Sequence, residues 1–174
     1  MRAPPLLTLP NAITLARLPL AVLFLFADST AERLVILGVA AASDFIDGWV
    51  ARHSGHTTRS GALLDPIADK TFVLAALTAF VQTGELSPGS YFLILSRDFA
   101  TAIGFIVAWR LPGLDPGDFK ARMPGKIVTV LQLAAILALS ASPVAMRWLV
   151  PLIAVASAVA IVDYTLVLHR TRKR

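Results

Sequence analysis

Four aspartates interrupt apolar stretches of this chain at regular spacing. Asp44 and Asp47 are three residues apart, and Asp65 and Asp69 are four residues apart. Residues at these spacings share one face of an α-helix, so each pair is expected to project from one side of its helix. Several carboxylates in an apolar surrounding cannot all stay ionised unless cations neutralise them. The pattern therefore predicts a site for two divalent metal ions, and Mg²⁺ or Mn²⁺ suits such oxygen ligands.

A second interpretation of the aspartates is structural. Any one of them could form an ion pair with a nearby cation such as Arg52, Arg59 or Lys70. For a single aspartate this interpretation would be preferred, since charged groups inside apolar helices usually pair with one another. Four aspartates in two facing pairs outnumber the cations at a matching depth. The metal site is therefore favoured.

The elements that must position these residues are predicted to be membrane-spanning helices. Of the 174 residues, 56% are hydrophobic and only 16% are charged, whereas about a quarter of a soluble domain is charged. A hydrocarbon core about 30 Å thick requires roughly 20 apolar helical residues. Six segments qualify: 12–27, 31–52, 61–83, 90–110, 125–141 and 146–168. We predict an all-α integral membrane bundle of six transmembrane helices, forming a single domain over residues 1–174.

The distribution of basic residues predicts how the bundle is oriented. Lys and Arg collect at the amino terminus, in the 53–60 and 111–124 loops and in the tail. The positive-inside bias places these segments and both termini in the cytoplasm, with the aspartates at the cytoplasmic face of the cell (inner) membrane. The net charge is +5, but the basic residues form no continuous stripe. We therefore expect contact with membrane lipids and no nucleic-acid binding. A cleaved signal peptide in place of the first span is the alternative.

The aspartates belong to a longer pattern, which runs Asp44-x2-Asp47-Gly48-x2-Ala51-Arg52-x8-Gly61-x3-Asp65-x3-Asp69. This pattern resembles the signature of the CDP-alcohol phosphatidyltransferase family, with every fixed position present. Segments 9–17, 65–70, 96–98 and 125–132 add to the resemblance. It implies a membrane enzyme of phospholipid biosynthesis that transfers a phosphatidyl group from CDP-diacylglycerol to an alcohol and releases CMP.

The resemblance also implies roles for individual residues. Asp44, Asp47 and Asp65 would bind the metal ions, and Asp69 would be the general base and would also contact the second metal. The CDP group would contact seven residues: Asn11, Thr14, Gly48, Ala51, Arg52, Thr58 and Gly61. Family members commonly form homodimers, so a homodimer is expected here.

Some of the implied substrate contacts have a physical rationale, and some have a structural alternative. A glycine at position 48 lets a nucleotide approach the helix backbone, and Arg52 can bind a diphosphate through two parallel hydrogen bonds. The polar residues of segment 11–14 could instead cap the first helix. Gly48 and Gly61 could serve helix packing, and Thr58 could be an ordinary loop residue.

The acceptor alcohol is less well determined. Three cations, Arg97, Arg110 and Lys126, would suit an acceptor that carries a phosphate. Segment 125–132 resembles family members whose acceptor is glycerol 3-phosphate and whose product is phosphatidylglycerophosphate, and this acceptor is preferred. Segment 96–98 resembles the cardiolipin synthases of the family, whose acceptor is phosphatidylglycerol. A buried structural contact of Arg97 is a further interpretation, and an aspartate-lined membrane transporter is the alternative from another functional class.

Overall fold

The computed structural model describes the backbone of residues 14–54, 61–110 and 123–172. Side chains are described over the same ranges except at 44–45, 47–54, 61–66, 105, 107–109 and 167–172. These ranges form six α-helices: α1 (Arg17–Leu25), α2 (Thr30–Ser54), α3 (Gly61–Gln82), α4 (Pro88–Arg110), α5 (Met123–Ala141) and α6 (Met146–Arg172). The all-α prediction is confirmed over the described residues. Five predicted spans agree with their helices to within about four residues at either end, while α1 is shorter than its predicted span.

The chain forms two compact units, Met1–Glu85 and Leu86–Arg174. In the first unit, α1 packs against both α2 and α3. The ring of Phe24 in α1 is fully buried and meets Phe72 and Phe80 of α3 edge-on, with ring centroids 5.8 Å apart in both pairs. Each such pair contributes about 0.5–1.5 kcal/mol beyond the burial of its area. Phe24 therefore fixes the position of α1 on α3.

Two local motifs determine where α2 begins and α3 ends. The backbone N–H of Glu32 donates to Ser29 Oγ at 3.2 Å, and the backbone N–H of Ser29 donates to Glu32 Oε2 at 3.2 Å. This reciprocal capping box satisfies donors that the first turn of a helix leaves unpaired. After α3, Gly84 adopts a φ of 77° and donates its N–H to the Val81 carbonyl at 3.1 Å. Glycine takes this left-handed conformation without steric cost, so the helix stops here.

Arg33 connects the turn before α2 to the turn after α3. Its Nη1 donates to Glu85 Oε1 at 2.7 Å, and its Nε donates to the Ala27 carbonyl at 3.2 Å. Its guanidinium carbon lies 4.8 Å from the centre of the Phe80 ring, and Thr83 Oγ1 donates to the same Glu85 oxygen at 2.9 Å. Partial burial raises the pKa of Glu85, but the hydrogen bonds from Arg33 and Thr83 and the Arg33 charge outweigh this, so the pKa lies below its usual value.

In the second unit, α6 packs against both α4 and α5. The face of α6 turned towards the interior combines Ile153 with the small residues Ser157 and Ala160, and each of the three is at most 1% exposed. Small residues let neighbouring helices approach closely. Among the described side chains of the other two helices, the fully or almost fully buried apolar ones are Ile94, Leu95, Val128, Ala135, Ile136 and Leu139.

Two helical segments of the described chain are long and apolar enough to cross a membrane, Met123–Ala141 and Pro143–Leu166. Helices α2, α3 and α4 have 25, 22 and 23 residues, which is also long enough, but each carries several charged residues. Along α6, an exposed apolar stripe recurs every three or four residues, and each member is at least half exposed: Trp148, Leu152, Val155, Val159, Val162 and Leu166. An apolar surface of this extent is typical of contact with lipid or protein and agrees with a membrane bundle.

Candidate functional site

The predicted aspartate site lies on two helices of the first unit. Asp44 and Asp47 are part of α2, and Asp65 and Asp69 are part of α3. Both helices pack against α1. The side chains of Asp44, Asp47 and Asp65 lie outside the described residues, and no metal-binding group of three or more acidic, histidine or cysteine residues occurs among the side chains that are described. The two-metal site therefore stays a prediction, and Asp69 is the member whose surroundings the structure describes.

Asp69 forms an ion pair with Arg17 of α1, whose Nη1 donates a hydrogen bond to Asp69 Oδ1. The Arg17 side chain is only 3% exposed, whereas that of Asp69 is 44% exposed. The cation is thus fixed in the interior and orients a carboxylate that remains accessible. An accessible carboxylate of fixed orientation can accept a proton or bind a cation.

Arg17 is a candidate functional residue that the sequence interpretation did not assign. The ion pair joins positions 52 residues apart, so no local pattern reveals it. A signal was nevertheless present, because a cation within an apolar span is costly and usually has a partner there. Thr14 lies three residues earlier and is only 1% exposed, so this polar residue before α1 belongs to the packed interior of the unit.

The other predicted contacts to the CDP group remain predictions. Asn11 and Thr58 lie outside the described residues. Gly48, Ala51 and Arg52 are in α2, and Gly61 is the first residue of α3. Their surroundings lie outside the described side chains. Thr14, the remaining member, is buried as described above.

A second polar cluster lies in the other unit, around Arg97 of α4. Arg97 Nη1 donates to Asp98 Oδ1 at 3.0 Å, and the two side chains are only 10% and 14% exposed. Gln132 of α5 is fully buried and donates its Nε2 to Asp98 Oδ2 at 2.5 Å and to the Ile94 carbonyl at 2.9 Å. From α6, the ring of Tyr164 lies 6.0 Å from the guanidinium carbon of Arg97. Arg97 therefore does make a buried structural contact, and three helices contribute to it.

The three predicted acceptor-binding cations have different surroundings. Lys126 follows the buried Gly125 at the start of α5 and is exposed. Arg110 is exposed at the end of α4, thirteen residues beyond Arg97. At a rise of 1.5 Å per residue the backbones of these two arginines are about 20 Å apart along the helix. The acceptor contacts of all three cations stay predictions.

The family model for CDP-alcohol phosphatidyltransferases matches residues 7–162. The chain therefore belongs to the CDP-alcohol phosphatidyltransferase family. The resemblance carried by the aspartate pattern is confirmed, and the match extends from before α1 into α6.

Several curated relatives are similar to this chain over part or most of its length. A CDP-diacylglycerol–glycerol-3-phosphate 3-phosphatidyltransferase of Aquifex aeolicus is 37% identical over 105 residues, 58% of this chain and 59% of the relative. A protein of the same name from Bacillus subtilis is 33% identical over 150 residues, 75% of each chain. A "Probable phosphatidylglycerophosphate synthase" of Mycobacterium tuberculosis is 35% identical over 137 residues, 74% of this chain and 63% of the relative. The chain thus spans about six-tenths of the A. aeolicus and M. tuberculosis relatives.

Proposed function

We propose that this chain transfers the phosphatidyl group of CDP-diacylglycerol to glycerol 3-phosphate, giving phosphatidylglycerophosphate and CMP. The observation that carries the proposal is the similarity over 150 residues to a B. subtilis protein named for this reaction. The four-aspartate pattern, set on two helices that pack against α1, is consistent with it.

The proposed site would hold two Mg²⁺ or Mn²⁺ ions through Asp44, Asp47, Asp65 and Asp69. The donor set fits such ions, because all four groups are carboxylates and hard divalent cations prefer oxygen ligands. When bound, the ions supply charge neutralisation at the diphosphate. The accessible carboxylate of Asp69, oriented by Arg17, agrees with this assignment.

The protein groups then have separate tasks. Asp69 takes the proton of the acceptor hydroxyl, and the acceptor oxygen forms a bond to the phosphatidyl phosphorus as the bond from that phosphorus to the CMP oxygen breaks. Arg52 holds the diphosphate of the donor. Arg97 and Lys126 bind the phosphate of the acceptor, since charge-assisted hydrogen bonds from such cations suit a phosphate dianion.

The membrane arrangement belongs to the same proposal. All six helices cross the membrane, both termini face the cytoplasm and the aspartates open to that side, because the basic loops collect there. The charged residues of α2, α3 and α4 would be accommodated by pairing and by the metal site, in the way that Arg17 pairs with Asp69. A homodimer in the inner membrane is proposed from the family resemblance.

The test is an assay of the purified full chain with CDP-diacylglycerol and separate acceptors, with product lipids identified by mass spectrometry. We expect CMP release that requires a divalent metal and glycerol 3-phosphate, with phosphatidylglycerophosphate as the product. Formation of cardiolipin would instead identify phosphatidylglycerol as the acceptor. Absence of metal-dependent CMP release with every acceptor would refute the proposed activity and favour a transport function.

A further inference from the structure

The guanidinium of Arg97 lies directly against the backbone of Gly125, the third residue of α5. A Cβ atom placed on Gly125 would be 2.2 Å from Arg97 Nη2, 3.1 Å from Arg97 Cζ and 2.8 Å from the hydroxyl oxygen of Tyr164. Separations below 3.0 Å do not occur for real Cβ atoms. Among the side chains of the natural amino acids, only a hydrogen therefore fits at position 125 with Arg97 and Tyr164 in their present positions.

The rest of the cluster limits how far Arg97 can move. Its Nη1 donates a hydrogen bond to Asp98, which also accepts a hydrogen bond from Gln132 of α5. The Nε of Arg97 is buried without a hydrogen-bond partner among the described residues. Nε and Nη2 form one edge of the guanidinium, and that edge is a bidentate donor for carboxylates and phosphates. An unsatisfied buried donor in a native protein calls for an explanation. A ligand whose acceptor atoms accept hydrogen bonds from this edge of Arg97 would supply the missing partner.

We propose that Gly125 and Tyr164 are positioning residues for the acceptor phosphate. The missing side chain at 125 leaves room for Arg97 Nη2 and the Tyr164 hydroxyl against the same point of the backbone, and the exposed Lys126 is the next residue in sequence. A cationic edge, a hydroxyl donor and a second cation are the groups that recognise a phosphate monoester. The inference rests on the proposed function, which it deepens by naming residues that set the affinity for the acceptor.

The size of the effect follows from the distances. To bring a Cβ at position 125 into ordinary contact at about 3.4 Å, Arg97 Nη2 must retreat from 2.2 Å by about 1 Å. The atom is the far end of a flexible side chain, so the protein can yield there without unfolding. A misplacement of about 1 Å in a positioned group can reduce catalytic efficiency by up to about a hundredfold.

The test measures the KM for each substrate separately in the full-length protein. Gly125→Ala should raise the KM for glycerol 3-phosphate by about tenfold or more and leave the KM for CDP-diacylglycerol within about twofold. Gly38→Ala is the matched control, since the same substitution in α2 meets nothing within 4 Å. Both KM values of the control should equal those of the wild type.

Tyr164→Phe provides a second, independent variant. It keeps the ring against Arg97 and removes the hydroxyl, so it should also raise the KM for the acceptor alone. As a readout apart from turnover, glycerol 3-phosphate should raise the thermal midpoint of the wild type and raise that of Gly125→Ala and Tyr164→Phe less at the same concentration.

The outcomes separate this inference from the proposed function. An active wild type whose Gly125→Ala and Tyr164→Phe variants keep the wild-type KM for glycerol 3-phosphate would overturn the inference alone. An equal rise in both KM values would also overturn it, because that result indicates a general loss of structure. A wild type that releases no CMP with glycerol 3-phosphate would overturn the proposed function itself.

Discussion

Asp98 accepts hydrogen bonds on both of its carboxylate oxygens, from Arg97 Nη1 at 3.0 Å and from Gln132 Nε2 at 2.5 Å. Asp98→Asn keeps the shape and replaces one acceptor oxygen with a donor. Whichever way the new amide turns, a donor faces a donor. Gln132 cannot relieve the conflict by turning its own amide, because its Nε2 also donates to the Ile94 carbonyl at 2.9 Å. The substitution is therefore expected to destabilise the second unit.

The burial of the ion pair sets the magnitude. An exposed ion pair contributes about 0–1 kcal/mol, but the side chains of Arg97 and Asp98 are only 10% and 14% exposed. Removing one partner of a buried pair costs about 3–5 kcal/mol. Asparagine retains one acceptor oxygen, so a loss of about 2–3 kcal/mol is expected. For a chain of this size each kcal/mol lowers the thermal midpoint by about 2–4 °C, which gives a total decrease of about 4–12 °C.

The measurement is thermal unfolding of the detergent-solubilised protein, followed by far-ultraviolet circular dichroism. Asp28→Asn is the matched control, because Asp28 is exposed in the turn before α2. Its effect on stability should stay within about 0.5 kcal/mol. A double variant, Asp98→Asn with Gln132→Met, removes the opposing donor and should be less unstable than the sum of the two single variants.

Two results would refute this reasoning. One is a thermal midpoint of Asp98→Asn equal to that of Asp28→Asn, which would mean that the Asp98 charge contributes nothing to stability. The other is strict additivity in the double variant, which would mean that Asp98 and Gln132 do not interact as described.

Three further predictions concern the first unit. Asp69→Asn should reduce the rate of CMP release by at least about a hundredfold, the usual contribution of a general base, while CDP-diacylglycerol binding is largely kept; a near-normal rate would contradict its role. Glu85 has a lowered pKa, so its ion pair with Arg33 stabilises the fold above the usual carboxyl value of 4.5 and is lost as the pH falls through the lowered pKa. Glu85→Gln should therefore lower the thermal midpoint at neutral pH and flatten its decrease in acid; an unchanged acid profile would count against the pair. Ser29→Ala removes one half of the capping box with Glu32 and should cost about 1 kcal/mol, measured by the same unfolding experiment, whereas no measurable loss would show that water replaces the cap.

The helices were predictable from sequence because their ends are locally determined. Gly84 ends α3 through its own backbone conformation, and proline opens α4 and the turn before α6. Proline lacks the N–H that helix interiors require and is tolerated in the first turn of a helix. Such signals act within a few residues, so apolar length and breakers together predicted the helix bounds.

The ion pairs were not predictable in the same way. Arg17–Asp69 and Arg33–Glu85 each join residues 52 apart, and their pairing depends on how α1, α2 and α3 pack. The aspartate spacing predicted that a cation lies beside Asp69, and a metal ion was the favoured cation. The structure places the guanidinium of Arg17 beside Asp69 as well. The sequence interpretation assigned Gly125 no role beyond its place in segment 125–132, which resembles other family members. The close approach of Arg97 to Gly125 arises only when α4 and α5 are packed.

The hydroxyl side chains of these helices bear on how the chain enters a membrane. Ser43, Thr71, Thr78 and Thr165 each donate to the backbone carbonyl four residues earlier in their own helix. A helix that satisfies its own hydroxyls exposes no unpaired donor to hydrocarbon and needs no neighbour for this purpose.

The charged pair of helix α4 does depend on a neighbour, because Asp98 accepts one of its hydrogen bonds from Gln132 on α5. In a bilayer, α4 on its own would present a carboxylate and a guanidinium with only part of their hydrogen bonds made. We therefore expect α4 to be released stably from the insertion machinery only together with α5. Biogenesis of the second unit would then proceed by a pair of helices.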